Sequence, residues 1–501
     1  MAQKHNPIQS WVIVGGGTAG WMTAALLSKF LGKTNAKITL VESPDVSTVG
    51  VGEATVPSFV DFLRLLGISE QDFIRSTQST FKLGIKFTDW KTKNHSYWHP
   101  FGNFGAKING QDFFQHWLKS YFNGNTSAFS NYAPSKVIAE QHKFYIPDPD
   151  KPNNLSRLGY ALHFDAGLVA DYLAKFSIQH GVQRISDHVT HVQLDDVGNI
   201  KQVDLKSGQT INGDFFIDCT GQKALLIDKA LHVKYQDWQH YLPVNSAIVV
   251  QSEKTENLPP YTESIAHEHG WRWRIPLQNR TGNGYVYCDD FCTEQKATEL
   301  LLANLSEPSI TVPRNIKFNT GKRAKMWHKN CVAIGLSSGF LEPLESTSIY
   351  LIMRAALNLI KLLPDQQHCE ATVSEYNRLM DIEYEQIRDF IVMHYCTSQR
   401  SDSSFWQAIS TRNVPESLTN KLKLFKSHGR ILSNETDLFA NDSWNTILTG
   451  MGVLPRTYDP VIDTLDAQKV SQLLDDVEQS LHHSVAQLLS HDQYLQQYIR
   501  Q

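Results

Sequence analysis

A glycine-rich turn between two short apolar runs is the feature that most constrains the fold of this chain. The segments are, in order, Trp11–Val14, Gly15–Gly20, Trp21–Leu31 and Ile38–Glu42. Their pattern predicts a strand, a tight turn, a helix and a second strand, which form a βαβ unit. Gly15, Gly17 and Gly20 have the G-x-G-x-x-G spacing, whose glycines allow close approach of a pyrophosphate and helix-on-strand packing. Glu42 ends the second strand, where a carboxylate can accept hydrogen bonds from a ribose, so the sequence indicates a dinucleotide site.

Two later strand-like runs also end in small residues. The run Asp214–Asp218 is followed by Cys219-Thr-Gly221, and Cys331–Ile334 is followed by Gly335–Gly339. In parallel α/β sheets, ligands lie beyond the carboxyl ends of the strands. We therefore expect both strand ends to lie near the same dinucleotide, the alternative being two unrelated turns.

With 501 residues, the chain is long enough for two or three subdomains. The expected limits are 1–90, 155–230 and 320–365 for a discontinuous nucleotide-binding module, 91–154 and 231–319 for an inserted substrate-side subdomain, and 366–501 for a mainly helical C-terminal region. Apolar residues recur at three- and four-residue spacing from Val373 to Tyr395, which predicts a long helix with one buried face. A second amphipathic stretch, Leu473–Leu489, is expected to pack on the body of the protein or on a second subunit, as in a homodimer.

Composition excludes several classes of partner. The net charge is −4 and only 20% of residues are charged, which leaves no electrostatic footprint for nucleic acid or an anionic membrane. The six cysteines form no Cys-x-x-Cys pair, so we expect reduced thiols, no metal site and a cytoplasmic location. The sequence contains no stretch of 18 apolar residues, so it predicts no membrane span.

Two lysines stand among apolar residues in the segment 81–87. Burial would lower the pKa of Lys82 or Lys86 and produce a neutral, nucleophilic amine. The alternative is that the lysine stems lie along apolar surface while the ammonium groups stay in water.

The turn Glu342–Ser348 lies between a predicted strand and a predicted helix. Ser346 or Thr347 is suited to cap that helix, and the alternative is that its N–H groups bind a small anion. If Glu345 lay close to Lys82, each would influence the protonation of the other.

Trp271 and Trp273 are two residues apart in a strand-like segment, so both indoles lie on one face. Such a pair can be ordinary core or the wall of a site. The chain has no second glycine fingerprint for a nicotinamide nucleotide, so a bound flavin would receive its electrons from outside.

Together these motifs resemble the flavin-dependent halogenases of the tryptophan halogenase type along essentially the whole chain. The matching segments are Gly15–Trp21, Gly50–Thr55, Phe81-Lys82 with Lys86-Phe87, Trp271–Pro276 and Phe340–Thr347. The resemblance implies an α/β, Rossmann-like FAD-binding fold of the flavoprotein monooxygenase type. It also implies that FAD, reduced by a separate NAD(P)H-dependent flavin reductase, reacts with O2 and a halide, bromide or chloride, to give hypohalous acid that passes through a tunnel to a lysine.

The resemblance assigns roles to residues of this chain. Lys82 would hold or covalently carry the halogen, and Glu345 would polarise it and stabilise the cationic ring or take its proton. The other implied sites are flavin binding by Gly15, Gly17, Thr18, Ala19, Gly20, Glu42, Ala54, Leu336 and Ile349, halide binding by Thr347 and Ser348, substrate binding by His99, Phe101, Phe439 and Trp444, and a tunnel wall of Trp271 and Trp273.

Two departures from the family pattern bear on specificity. Ser348 replaces the usual glycine at the halide position, and its Cβ crowds the site, which favours the hypothesis of bromide over chloride. The C-terminal aromatic cluster is reduced to Phe439 and Trp444, so recognition of a free amino acid does not carry over. An electron-rich aromatic, such as indole or an indole within a larger molecule, is the expected substrate.

Two other functions compete with halogenation. A flavoprotein aromatic hydroxylase of the same fold would transfer oxygen to the substrate directly and would need no halide. A non-enzymatic flavin- or aromatic-binding protein would release hydrogen peroxide without forming any product.

Overall fold

The computed structural model describes residues 7–45, 52–366, 369–434 and 436–500. Gly50 and Val51 of the segment Gly50–Thr55 lie outside the described residues. The strands are β1 (Ser10–Val14), β2 (Lys37–Glu42), β3 (Glu53–Ala54), β4 (Thr80–Lys82), β5 (Gly84–Thr88), β6 (Ser96–Pro100), β7 (Ala161–Phe164), β8 (Gln183–Ser186), β9 (Val189–Leu194), β10 (Ile200–Leu205), β11 (Thr210–Asn212), β12 (Phe215–Asp218), β13 (Tyr235–Asp237), β14 (Ser246–Ser252), β15 (Thr262–His267), β16 (Gly270–Pro276), β17 (Thr281–Tyr287), β18 (Arg314–Lys317), β19 (Gly321–Arg323), β20 (Trp327–His328), β21 (Cys331–Ala333) and β22 (Gly339–Phe340).

The helices lie mainly in the second half of the chain. They are α1 (Thr18–Leu31), α2 (Ser58–Leu66), α3 (Glu70–Ser76), α4 (Phe113–Phe122), α5 (Pro134–Glu140), α6 (Ala166–Gln179), α7 (Glu294–Ala303), α8 (Ser348–Lys361), α9 (Glu370–Cys396), α10 (Ser404–Ser410), α11 (Glu416–His428), α12 (Asn441–Gly450), α13 (Ala467–Ala486) and α14 (His491–Arg500). Short 3-10 turns cover Phe129–Tyr132, Gly221–Lys223, Gly335–Ser337, Pro343–Glu345 and Pro460–Thr464, and a π-helical turn covers Leu225–Ala230.

The first sheet is the predicted nucleotide-binding sheet. Its order is β20-β21-β12-β1-β2-β8, and every neighbouring pair is parallel except β20 with β21. Alternation along β1 sends Trp11 and Ile13 into the main core and Val12 and Val14 into a second core on the other face. That arrangement confirms the predicted α/β class and its parallel sheet.

Different elements cover the two faces of this sheet. Helix α1 packs against α6 and α8 on one face. The opposite core is closed by the antiparallel sheet β11-β10-β9 and the turn Leu225–Ala230. The carboxyl ends of β1, β12 and β21 therefore meet at one edge, as the sequence predicts.

A second sheet lies on the substrate side. Its order is β18-β14-β17-β16-β15-β5-β6, and it is antiparallel except where β15 pairs with β5. Because β5 and β6 lie on either side of the expected boundary at residue 90, one sheet joins two of the expected units. The domain limits stay a prediction.

The described residues after Glu370 form helices and no named strand, which confirms the helical C-terminal region. Helix α9 covers the whole predicted period from Val373 to Tyr395. Helix α13 ends at Ala486, so Leu488 and Leu489 lie beyond it, and it packs on α4 and α5 of the same chain. Within the ranges that the structure describes, no helix combines the length and apolar character needed to cross a membrane.

Candidate active site

The glycine turn connects β1 to α1. Gly15 has φ +115°, and a Cβ there would lie 2.1 Å from the Cys219 carbonyl oxygen, so only glycine fits against the end of β12. Gly17 is the N-cap residue of α1, and a Cβ added to it meets no atom within 4 Å. The protein thus leaves open space over the first N–H groups of the helix, where an anion would be stabilised.

A large cavity of about 690 Å³ begins at this turn. Of the residues predicted to bind flavin, those that line it are Gly15, Gly17, Thr18, Ala19, Glu42, Ala54, Leu336 and Ile349. Gly20 does not line the cavity, because it lies inside α1 against Gly15, where a Cβ would be 1.9 Å from the Gly15 carbonyl oxygen. Gly20 packs the helix against the turn, and its assignment to flavin binding stays a prediction.

Glu42 lies at the end of β2 beside the turn. One carboxylate oxygen accepts a hydrogen bond from Trp21 Nε1 at 3.2 Å, and the other is paired with Arg184. The carboxylate is thereby held at the edge of the cavity. This position suits an acceptor for ribose hydroxyls.

Trp271 and Trp273 lie on one face of β16, as predicted. Their ring centroids are 6.0 Å apart, and both indoles are buried in the core while lining the cavity. Trp271 Nε1 donates a hydrogen bond to Glu342 Oε2 at 2.7 Å, and the same oxygen accepts one from the Tyr395 hydroxyl at 2.8 Å. The two tryptophans are therefore part of the hydrophobic core and also line the large cavity, so the two alternatives drawn from the sequence are compatible.

Lys82 is fully buried in β4, which rules out the surface alternative for this lysine. Its Nζ donates hydrogen bonds to the Thr55 carbonyl oxygen at 3.0 Å and to Ser346 Oγ at 2.8 Å, and it lies 5.0 Å from the centroid of the Phe101 ring. Burial lowers the pKa of Lys82 to about 7, while the negative charge of Glu345 acts in the opposite direction and raises it. Lys86, by contrast, is only partly buried.

Glu345 lies between two histidines. His99 Nδ1–H and His394 Nε2–H each donate a hydrogen bond of 2.7 Å to a different carboxylate oxygen, since a carboxylate can only accept. The Tyr97 hydroxyl in turn donates to His394 Nδ1 at 2.8 Å, which fixes the tautomer of that ring. Burial alone would raise the pKa of Glu345, but the two histidines outweigh it and hold the pKa at about 2.

The turn before α8 differs from the predicted cap. Thr347 is the N-cap residue, yet neither its side chain nor that of Ser346 caps the helix, so the capping interpretation is wrong. Ser346 has φ +60°, which directs its hydroxyl to Lys82 instead. Thr347 Oγ1 is buried without a hydrogen-bond partner in the described structure, and Ser348, which begins the helix, lines the cavity. These features leave the helix start open to an anion.

The four residues predicted to bind substrate lie close together. The His99 ring is 6.0 Å from Phe101 and 5.8 Å from Phe439. Phe390 stacks on Phe439 at 3.7 Å and meets Trp444 edge-on at 4.9 Å. We name these five residues, His99, Phe101, Phe390, Phe439 and Trp444, the aromatic cluster; they do not line the large cavity.

Lys82 lies between the large cavity and the aromatic cluster. It contacts Phe101 of the aromatic cluster and Ser346 of the cavity wall. The sequence reasoning missed Phe390 and His394, which are four residues apart on α9 and share one face. A histidine within the apolar period of this helix was the available signal.

Known proteins resemble this chain over nearly its full length. The sequence profile of the tryptophan halogenase family matches residues 10–467. A tryptophan 6-halogenase of Streptomyces toxytricini is 36% identical over 440 residues, which cover 83% of each chain. Two solved flavin-dependent halogenases superpose with a TM-score of 0.94: one from Xanthomonas campestris, 41% identical and covering 98% of both chains, and one from Brevundimonas sp. BAL3, 39% identical and covering 98% of this chain and 99% of its own.

Proposed function

The chain belongs to the tryptophan halogenase family, and from that membership we propose a role for each group of the candidate site. It is a flavin-dependent halogenase, an oxidoreductase that uses FADH2, O2 and a halide to halogenate an indole-type aromatic. Its reduced flavin comes from a separate flavin reductase. Direct hydroxylation by the same fold is not favoured.

The residues of the large cavity fit FAD. Gly17 leaves room for a pyrophosphate at the start of α1, and Glu42 offers acceptors to a ribose. Leu336, an exposed apolar side chain at the cavity, and Ile349 would contact the rest of the cofactor. When bound and reduced, FAD supplies the reducing equivalents with which O2 and halide yield hypohalous acid.

Lys82 is proposed to carry the halogen. A neutral amine has two N–H groups and one lone pair, and both N–H groups are accounted for by Thr55 and Ser346. The lone pair attacks the halogen of hypohalous acid, the oxygen–halogen bond breaks, and the departing hydroxide takes an amine proton to form water. Transfer of the halogen to a ring carbon then returns the bonding electrons to nitrogen, and the displaced ring proton restores the amine.

Glu345 is proposed to stabilise the cationic ring formed during that transfer. Its two histidine donors keep it ionised, so its negative charge is present when positive charge develops on the substrate. A carboxylate with a pKa of about 2 is a weak base, but a protonated aromatic ring is a much stronger acid than the carboxyl group. Glu345 therefore receives the ring proton and passes it on to the Lys82 nitrogen.

The aromatic cluster is proposed to hold the substrate. It offers flat apolar surfaces but no dedicated pair of groups for an ammonium and a carboxylate. Indole, or an indole carried by a larger molecule, is the substrate that this surface favours.

The start of α8 is proposed as the halide site, with Thr347 and Ser348 at its N–H groups. The Ser348 side chain lines the cavity at this helix start, and we propose that it sets the halide preference in favour of bromide. In competition assays with equal bromide and chloride, we expect mainly brominated product, and Ser348→Gly should raise the chlorinated fraction. Mainly chlorinated product from the unaltered enzyme would overturn the proposal.

The single observation that carries the function is the burial of Lys82 between the cavity wall and the aromatic cluster. The test supplies FAD, a flavin reductase, NADH and bromide with a panel of indoles, phenols and pyrroles, and reads isotope patterns by mass spectrometry. We expect a monobrominated product that Lys82→Ala abolishes while flavin reoxidation continues. A hydroxylated product formed without halide would instead support the hydroxylase.

A further inference from the structure

The strand that carries Lys82 lies at the edge of a small sheet. In the order β3-β7-β4, strand β4 pairs with β7 on one side only. The N–H groups on its other edge need partners from elsewhere, because an unpaired buried N–H is costly. Leu83 N–H finds one in the Pro260 carbonyl oxygen at 2.7 Å.

The second partner is an imidazole. His491, the first residue of α14, is fully buried, and its Nε2 accepts a hydrogen bond from Phe81 N–H at 3.2 Å. Its Nδ1–H donates to the Leu258 carbonyl oxygen at 3.1 Å. The tautomer follows from the partners, because an amide N–H can only donate and a carbonyl can only accept. The ring thus bridges the lysine strand and the loop before β15.

Helix α14 is itself held in place. His491 N–H donates to the His142 carbonyl oxygen at 2.8 Å, and Asp492 Oδ2 accepts from Leu258 N–H at 3.0 Å. Tyr494 and Tyr498 contact the Phe81 ring edge-on. The C-terminal helix therefore encloses the residue next to Lys82 with both polar and aromatic contacts.

Taking the proposed role of Lys82 as given, we propose that His491 is a positioning residue for halogen transfer. It fixes the peptide that joins Thr80 to Phe81, while the Pro260 carbonyl oxygen fixes the peptide that joins Lys82 to Leu83, so the amine is held where it contacts both Ser346 and Phe101. A shift of about 1 Å in a reacting group can reduce a rate by about 100-fold. A residue at the far end of the chain thus determines where the reactive nitrogen lies.

The experiment compares three variants of the full chain. His491→Leu keeps bulk but removes both hydrogen bonds, His491→Gln can restore an acceptor for Phe81 N–H, and Leu495→Ala removes a buried side chain of the same helix without touching either bond. Each is assayed for brominated indole per FADH2 oxidised, KM for indole, Kd for FAD, and thermal unfolding.

We expect His491→Leu to lower product per FADH2 by about 10- to 100-fold with little change in the Kd for FAD, and His491→Gln to recover most of it. Leu495→Ala should lose stability but keep the product ratio. Equal losses in His491→Leu and Leu495→Ala, or no rescue by glutamine, would show a merely structural role and overturn the inference.

A second readout does not depend on halogenation. Deuterium uptake of the peptide that spans residues 80–84 should increase in His491→Leu and return toward the native level in His491→Gln. If the unaltered enzyme made no halogenated product, the proposed function would fail while this measurement still tested the position of β4. Unchanged uptake in His491→Leu would refute the role of the imidazole.

Discussion

Lowering the pH below 7 should suppress halogen transfer by protonating Lys82. Burial brings its pKa from 10.5 to about 7, so about half of the molecules carry a neutral amine at pH 7 and about one in ten at pH 6. An ordinary lysine would be neutral in only about one molecule in 3,000 at pH 7. This lowering of the pKa corresponds to about 5 kcal/mol of free energy between the charged and the neutral lysine. It depends on the full burial of the Lys82 side chain.

The assay is a single turnover with chemically reduced FAD, which removes the pH dependence of the reductase. Brominated indole per FAD is measured by mass spectrometry between about pH 5.5 and 8.5. We expect a plateau above the midpoint near pH 7 and a tenfold fall for each pH unit well below it. Lys82→Arg, which keeps a cation but cannot supply an amine, should form no product at any pH while flavin reoxidation continues.

Glu345→Gln provides the internal check. The Glu345 charge raises the pKa of Lys82, so its removal should move the midpoint to lower pH even though less product forms. Product that increases as the pH falls through 7 would show that the ammonium is the reactive form and would refute the reasoning. A midpoint that Glu345→Gln moves upward would do the same.

Three further substitutions test the large cavity, the glycine turn and the aromatic cluster separately. Gly17→Ala should weaken FAD binding while leaving thermal stability unchanged, because its Cβ meets only open space in the protein, whereas Gly20→Ala should destabilise the fold, because its Cβ would lie 1.9 Å from the Gly15 carbonyl oxygen. Titration calorimetry measures the affinity for FAD and thermal melts measure the stability; equal effects of the two variants on both quantities would contradict the prediction. Phe390→Ala should lower stability by about 3–5 kcal/mol and shift the product profile toward larger aromatics, since it removes the ring stacked on Phe439; an unchanged profile would exclude Phe390 as a size determinant.

The βαβ unit could be predicted from the sequence because the residue patterns that specify it lie close together along the chain. Glycine spacing and two-residue alternation fix both the turn and the faces of β1. The apolar run made both Lys82 and Lys86 candidates, and only the family resemblance selected Lys82; the structure buries Lys82 and leaves Lys86 partly exposed.

The partners of Glu345 were not readable in the same way. His99 in β6 is 246 residues from Glu345 along the chain, and His394 in α9 is 49 residues from it. Only the tertiary fold brings both histidines to one carboxylate. The capping prediction failed because a left-handed residue, Ser346, turned its hydroxyl toward Lys82. Backbone conformation at a single residue decided which group that hydroxyl serves.

The hydrogen bonds of Glu342 have a consequence for redesign of this protein. Glu342 and Glu345 belong to the same short turn, and their partners Tyr395 and His394 are adjacent on α9. Replacing Trp271 to widen the proposed cofactor cavity would remove one of the two hydrogen bonds to Glu342 Oε2 and leave the one from Tyr395. We expect this loss to disturb, through the turn and α9, the position of the Glu345 carboxylate beside the aromatic cluster. The position of Trp271 and the conformation of the turn Glu342–Ser348 are therefore coupled, and a redesign that replaces Trp271 must also adjust the turn.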